Sequence, residues 1–149
     1  MASLSDDRIR ELAQAVRDAL ERADKRRLPL HLQDFPHGSC GDSELLVAKL
    51  LRQHNHEPAF DFMNGRRGDG WHAWIQQGGL IVDISADQFD DYAEPVTVVR
   101  GSKWHEALRP ERRCTADLDA FTGGATREVR AAYRYLLDLM PASARPGGQ

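Results

Sequence analysis

The sequence is short of cysteine, of excess basic charge and of long apolar runs, and each shortage argues against a class of protein. Two cysteines in 149 residues cannot build the disulfide framework of a small secreted domain. The 20 lysine and arginine residues against 23 acidic ones give a net charge of -3, which offers no basic surface to a nucleic-acid backbone. No apolar stretch approaches the roughly 18 residues of a membrane helix, and the N-terminus lacks the order of a signal peptide.

These absences predict a cytoplasmic chain whose thiols stay reduced, with no nucleic acid and no membrane as a partner. The residues that are present, 41% hydrophobic and 29% charged, suffice for one hydrophobic core. We therefore predict a single domain over residues 1–140. Pro141 ends the last helical pattern, and residues 141–149 are predicted to be a disordered tail.

Apolar periodicity divides the chain into helices and strands. Residues recur at intervals of three and four in the segments 5–25, 42–53 and 126–140, which predicts three helices. Strand patterns occupy 71–77, 80–84 and 96–99. The segment 64–70 is rich in turn residues and is predicted to be a loop. Helices at both ends of an antiparallel sheet predict an α+β fold.

Cys40 lies in a glycine-flanked turn directly before the second predicted helix, in the run Phe35-Pro36-His37-Gly38-Ser39-Cys40-Gly41. Unpaired N–H groups and the positive end of the helix dipole favour the thiolate at such a position. We interpret Cys40 as a nucleophile, with His72 as its base and Asp83 as the carboxylate that orients the base. Cys114 has no comparable context and is interpreted as an incidental thiol.

The dipeptide Gly78-Gly79 is a strong signal for a two-residue hairpin loop. It sets a register in which His72 faces Ser85 and Trp74 faces Asp83, so His72 and Asp83 are diagonal neighbours about 7–8 Å apart on one face. A four-residue loop keeps this register, whereas a three-residue loop places the two residues on opposite faces. The other face carries only apolar residues and is predicted to be the core side: Ala73, Ile75, Val82 and Ile84.

Two alternatives concern the same chemistry. Asp87 would share the face of His72 if the strand continued, but the chain is predicted to turn there, so Asp83 is preferred and Asp87 is interpreted as a loop cap. His37, His54 and His56 lie near Cys40 in sequence, yet the last two are only two apart at a helix end and do not face together. No CxxC or HExxH pattern occurs, and we predict neither a metal nor a cofactor.

The order of these motifs resembles the transglutaminase-like group of papain-fold cysteine enzymes, including its small bacterial members. The resemblance covers about residues 28–105. It implies an N-terminal helix and a nucleophile-bearing helix packed on a small antiparallel sheet, followed by a C-terminal helix. It also implies Cys40 as nucleophile, His72 as general base and then acid, and Asp83 as the residue that orients His72.

The resemblance further implies an oxyanion site at the backbone N–H of Cys40. The candidates for oxyanion or substrate binding are Gln33, Ser39, Trp71, Trp74 and Asp87. The expected activity is that of a peptidase, an amidase or deamidase, or a transglutaminase-type enzyme, acting on a peptide or protein through a thioester. The alternative is a catalytically inactive papain-like fold that binds a peptide or protein, with Cys40 as a small buried side chain.

Overall fold

The structure is a computed structural model that describes residues 3–121 and 124–148, with the backbone alone at positions 40, 124, 125 and 148. Helix α1 spans Asp6–Arg22, and the Oγ of its N-cap Ser5 accepts a hydrogen bond from the Arg8 N–H at 3.1 Å. Helix α2 spans Cys40–Gln53, α3 spans Lys103–Glu106 and α4 spans Gly124–Asp138. The three helices predicted from periodicity are confirmed within a few residues at each end. The short α3 was not predicted.

Within the described residues, five strands form one antiparallel sheet: β1 (Asp61–Arg67), β2 (Gly70–Gln77), β3 (Leu80–Asp83), β4 (Thr97–Arg100) and β5 (Glu111–Thr115), in the order β4-β3-β2-β1-β5. The α+β class predicted from the sequence is confirmed. Gln77 pairs with Leu80 and Ile75 pairs with Val82, which is the register of the two-residue loop. The predicted hairpin is therefore confirmed.

The prediction of a loop over 64–70 is wrong, because β1 continues to Arg67 and turns into β2 through only Gly68 and Asp69. Gly65 pairs with His72 in this ladder. A Cβ atom at Gly65 would lie 2.6 Å from the Leu108 Cβ and 2.9 Å from the Trp74 ring. Gly65 thus permits close packing inside a strand, although in sequence it appears as a turn signal.

The two faces of the sheet are covered differently. Phe62, Ile75 and Val82 join α1, α2 and α4 in the main hydrophobic core. On the other face, Trp74 and Ile81 belong to a smaller cluster with Leu108, against which Trp104 packs. This face lies away from the main core, as the sequence predicts. It is not open to solvent, because the segment that carries α3 covers it.

A turn after β4 explains this cover. Gly101 has a φ of +85°, a conformation that favours glycine, and its N–H donates to the Gly79 carbonyl at 3.0 Å. The chain then reverses, and α3 crosses the sheet face that carries Trp74. The side chain of His105 on α3 is thereby buried.

The prediction of a disordered tail is wrong for residues 141–148, which form two short 3-10 helices. Ala144 is buried, and its carbonyl accepts a hydrogen bond from the His54 Nε2 at 2.8 Å. Arg145 donates to the Met140 carbonyl at 3.1 Å. This segment covers the core after α4, and Gln149 lies outside the described residues. No helix among the described residues is both long and apolar enough to cross a membrane.

Candidate functional site

His72 on β2 and Asp83 at the end of β3 form a hydrogen-bonded pair. The distance from His72 Nε2 to Asp83 Oδ2 is 2.6 Å, and both side chains are fully buried. The hairpin register places them diagonally on one sheet face, as the sequence predicts, and the side chains close the remaining gap. A buried histidine and carboxylate at this distance form a charge-assisted hydrogen bond.

The Asp83 carboxylate also accepts hydrogen bonds from His105 and Ser85. Its Oδ2 also accepts from the His105 Nε2 at 2.7 Å, and its Oδ1 accepts from the Ser85 backbone N–H at 2.9 Å. Burial by itself raises the pKa of Asp83, but the charges and hydrogen bonds of His72 and His105 outweigh it, and the net pKa lies well below its usual range. Asp83 is therefore ionised at neutral pH.

His105 was missed by the sequence reasoning. It lies on α3, next to the Ser102 N-cap, and its Nδ1 is 2.7 Å from the Ser102 Oγ. One sequence signal points to it: Trp104-His105 repeats the dipeptide Trp71-His72. Nothing in the sequence shows that α3 folds back across the sheet, which is what brings His105 to Asp83.

Aromatic rings enclose His72. The ring centroids of Phe89, Trp104 and Trp74 lie 5.2, 5.7 and 5.8 Å from that of the imidazole. Trp74 is fully buried, so its expected role in substrate binding is corrected to one of packing beneath the site. Trp71 is 51% exposed, with the Arg66 guanidinium 4.9 Å from its ring centroid, and is open to contact from outside.

Hydrogen bonds join the first turns of α2 to the strand end that carries Asp83. The Glu44 Oε2 accepts from the Ile84 backbone N–H at 2.9 Å and from the Ser85 Oγ at 3.2 Å. Glu44 lies one helical turn after Cys40, so positions 40 and 44 share a helix face. Helix α2 begins at Cys40, as expected for the nucleophile helix. The prediction for the Cys40 side chain itself lies outside the described residues.

Two of the other predicted binding residues, Gln33 and Asp87, are hydrogen-bonded within the fold. The Gln33 Nε2 donates to the Leu28 carbonyl at 3.0 Å. The side-chain amide that was expected to bind the oxyanion is therefore hydrogen-bonded within the fold. Ser39 is buried at the N-cap of α2 without a side-chain capping bond. Asp87 accepts two hydrogen bonds from Arg17, at 2.7 and 2.9 Å. Asp87 therefore neutralises a buried arginine, and its expected place in the substrate site is corrected.

The histidines near Cys40 in sequence are dispersed. His37 is exposed, and His54 bonds to the tail as described above. The His56 Nδ1 accepts from the Leu4 N–H at 3.0 Å, and its Nε2 lies 3.1 Å from the Gln77 Oε1. Both ring nitrogens of His56 are thus engaged within the fold, and the structure gives this histidine a structural role.

One cluster of metal-ligating residue types exists among the described residues: a ligand atom from each of His72, Asp83 and His105 lies within 4.8 Å of the others. The two nitrogen–oxygen distances of 2.6 and 2.7 Å are those of direct hydrogen bonds between the groups. Two neighbouring ligands on one tetrahedral ion stand about 3.3 Å apart, given bonds near 2 Å. The cluster is arranged as a hydrogen-bonded network.

The network fixes the chemistry available to His72. Because Asp83 is ionised, it acts only as an acceptor, and the His72 Nε2 must carry the proton that it receives. In the neutral imidazole the basic lone pair is then on Nδ1. The site can therefore present an oriented base that gains a proton at Nδ1 while Asp83 stabilises the resulting cation.

Comparison of the chain with models of protein families, with curated proteins and with solved structures gave no match.

Proposed function

We propose that this protein is a thiol-dependent acyl-transfer enzyme that acts on an amide of a peptide or protein through a thioester. Cys40 is the nucleophile, His72 is the general base and then the general acid, and Asp83 orients His72. The observation that carries the proposal is the buried hydrogen bond of 2.6 Å between the His72 Nε2 and the Asp83 Oδ2. It supplies the oriented base that a nucleophilic thiol requires.

The proposed reaction uses Nδ1 of His72 as base and then as acid in both the formation and the breakdown of the thioester. Nδ1 takes the proton of the Cys40 thiol, the sulfur forms a bond to the carbonyl carbon, and the carbonyl electron pair moves onto the oxygen. When the tetrahedral intermediate collapses, the carbon–nitrogen bond breaks and the proton on Nδ1 passes to the leaving amine. Water or a second amine then attacks the thioester carbon while Nδ1 takes its proton. The carbon–sulfur bond breaks and the proton passes from Nδ1 to the Cys40 sulfur, giving hydrolysis or transfer respectively.

Helix α2 supports the assignment of the nucleophile. Position 40 is the first residue of a helix of 14 residues, where the helix dipole and the unpaired N–H groups favour a thiolate and can also hold an oxyanion. Glu44 ties this end of the helix to residues 84 and 85, which directly follow Asp83. The helix start is therefore anchored beside the base and its carboxylate.

The motif order supports the same class. A cysteine at a helix start, then His72 on one strand and Asp83 at the end of the next, is the sequence in which the transglutaminase-like enzymes present these groups. We accordingly propose a papain-like core built from α2 and the strands β2 and β3. Exposed Trp71, beside His72 in the chain, is the proposed contact for substrate.

Alkylation by iodoacetamide tests the proposal without a known substrate. Cys114 is a free, half-buried thiol and serves as the internal control. At pH 6.5 we expect Cys40 to react at least about tenfold faster than Cys114, because only the thiolate reacts and an ordinary thiol is about 1% ionised there. His72→Ala should reduce the difference, whereas Cys114→Ala should leave the Cys40 rate unchanged.

Equal reactivity of the two thiols, unaffected by His72→Ala, would reject the enzyme and favour a protein that only binds its partner. If Cys40 is fast, candidate peptides should leave an acyl group on Cys40, detected by mass spectrometry after acid quenching. A His72→Ala chain that forms and hydrolyses this adduct at the native rate would show that His72 is not the base.

A further inference from the structure

The mechanism above leaves His105 without a role, although it is buried against the reacting groups. Its Nε2 donates to the Asp83 Oδ2 at 2.7 Å, and this oxygen is the one that accepts from His72. A carboxylate that only orients one histidine needs one such bond. Two imidazoles on a single buried oxygen are a costly arrangement to build, which suggests a function for the second.

Hydrogen bonds at both ring nitrogens orient His105. The Ser102 Oγ accepts from the His105 backbone N–H at 3.2 Å and lies 2.7 Å from the His105 Nδ1. Because the Asp83 carboxylate only accepts, the His105 Nε2 carries the proton that it donates to Asp83. Ser102 and Asp83 together hold His105 as a donor to the oxygen that also accepts from His72.

We propose that His105 is a positioning residue that divides the Asp83 carboxylate between two donors and so keeps His72 neutral and available as a base. The catalytic meaning of this inference rests on the proposed function. A buried carboxylate that bonds to one imidazole stabilises the charged imidazolium strongly, and an imidazolium cannot accept a proton. A second N–H on the same oxygen weakens that stabilisation.

The surroundings hold His105 in place for this role. Its ring centroid lies 4.8 Å from that of Trp74 and 4.9 Å from that of Trp104, both nearly edge-on. The ring of Tyr92 lies 5.7 Å away, and burial raises the pKa of Tyr92, so this phenol is neutral throughout the range in which histidines titrate.

Other charged groups border the network from neighbouring elements. Glu44 of α2 reaches it through Ser85. The Arg67 guanidinium lies 5.4 Å from the ring centroid of Trp104, which contacts His105, and it pairs with Asp91. These groups are unchanged in every variant named below. Their effects on the titration midpoint of His72 therefore cancel when the variants are compared.

The test is an NMR titration of the His72 imidazole in the full chain carrying Cys40→Ala, so that no thiol titrates at position 40. His105→Phe fills the space of the ring but provides no donor, and we expect the His72 titration midpoint to rise by about one pH unit. His105→Gln retains an N–H donor and should keep the midpoint within about 0.3 unit of that with His105. Equal midpoints in all three chains would overturn the proposal.

Ser102 gives a second route if His105→Phe does not fold. Ser102→Ala removes the hydroxyl that lies 2.7 Å from the His105 Nδ1 and orients the ring toward Asp83. It should raise the His72 midpoint, as His105→Phe does, whereas Ser102→Thr retains the hydroxyl and should not. A shift of the same size in both would overturn the proposal. Addition of Zn²⁺ to the native chain provides a separate check, because simultaneous displacement of the His72 and His105 ring signals would identify a metal site instead.

This titration measures His72 alone and does not depend on the reactivity of Cys40. A His72 midpoint that responds to His105 in a chain whose native Cys40 is inert would reject the proposed enzyme but retain the positioning role. A reactive Cys40 together with an unresponsive His72 would reject the role of His105 and retain the enzyme.

Discussion

Glu44 and Ile84 are joined across the interior by a hydrogen bond of 2.9 Å from the Ile84 backbone N–H to the Glu44 Oε2. Glu44 lies on α2 and is fully buried, while Ile84 directly follows Asp83. The bond supplies the acceptor for a backbone N–H just after β3 ends, and it fixes the distance between the start of α2 and the His72–Asp83 pair. This hydrogen bond stabilises the fold and also sets the geometry of the site.

Glu44→Ala should destabilise the protein by about 2–4 kcal/mol, because it leaves the Ile84 N–H buried without its acceptor and opens a cavity. Glu44→Gln retains an acceptor oxygen of the same shape and should cost about 1 kcal/mol. Urea unfolding followed by tryptophan fluorescence measures both. Equal losses for the two variants would show that the charge of Glu44, rather than its bond to Ile84, stabilises this junction.

Arg17 and Asp87 form a two-point ion pair, with side chains 6% and 18% exposed. Arg17 also donates to the Ile84 carbonyl at 2.7 Å. Asp87→Ala should cost about 2–4 kcal/mol, because the buried arginine loses two hydrogen bonds and keeps only the half-exposed Glu21, 2.9 Å from its Nε, as a charged partner. The double variant Arg17→Met/Asp87→Ala should recover a large part of that loss. Urea unfolding followed by tryptophan fluorescence measures the free energy of unfolding of each variant. A double variant less stable than Asp87→Ala would contradict this explanation.

The hairpin and the His72–Asp83 pair could be predicted because they depend on local chain geometry. Gly78 and Gly79 set the register, and the register alone decides which residues share a face. His105 could not be predicted, since it reaches Asp83 only after the chain reverses at Gly101 and crosses the sheet. The periodicity of a sequence predicts helices and strands, but it does not predict how the segments between them cross the structure.

The role of Asp87 was open in the sequence for the same reason. If β3 continued beyond Asp83, Asp87 would lie on the same sheet face as His72. If the chain turned there, Asp87 would be a loop residue. The residue that decides its role is Arg17, on α1, far away in the chain. Likewise Gly65 has the composition of a loop, and only its contact with Leu108 explains a glycine in the middle of β1.

Asp83 should make stability depend on pH in the acid range. Its pKa in the folded protein lies below the ordinary value of 3.8, so the unfolded chain binds the proton more tightly. The stabilisation from Asp83 is therefore complete above about pH 5 and is lost as the pH falls through 3.8 toward the folded pKa. The free energy of unfolding, measured by urea at several pH values from 3 to 7, should fall along this course.

Asp83→Asn is the matched variant for that titration. It should be less stable than the native chain at pH 7 by about 2–4 kcal/mol, and the difference between the two chains should shrink as the pH falls below about 4. A constant difference from pH 3 to 7 would show that Asp83 does not titrate with the depressed pKa that its two histidines impose.

Gly65 provides a test of how the cover over the site is held. A methyl group at this position would lie 2.6 Å from the Leu108 Cβ, an atom close to the backbone that cannot rotate away. Gly65→Ala should therefore push the segment after α3 off the sheet and destabilise the protein by about 1–3 kcal/mol. Because that segment follows His105 directly, the bond from His105 to Asp83 should lengthen, and the His105 ring signals should shift in the NMR spectrum.

Gly70 at the start of β2 is the control for this substitution. It is exposed, and a Cβ atom there would meet only the Arg67 carbonyl oxygen at 3.7 Å, an ordinary contact. Gly70→Ala should change stability by no more than about 0.5 kcal/mol and leave the His105 signals in place. If the two alanine variants behave alike, the close contact between Gly65 and Leu108 does not hold the cover over His72 and Asp83. The hydrogen bond of 2.7 Å from the Arg66 N–H to the Leu108 carbonyl and the packing of Trp74 then hold it.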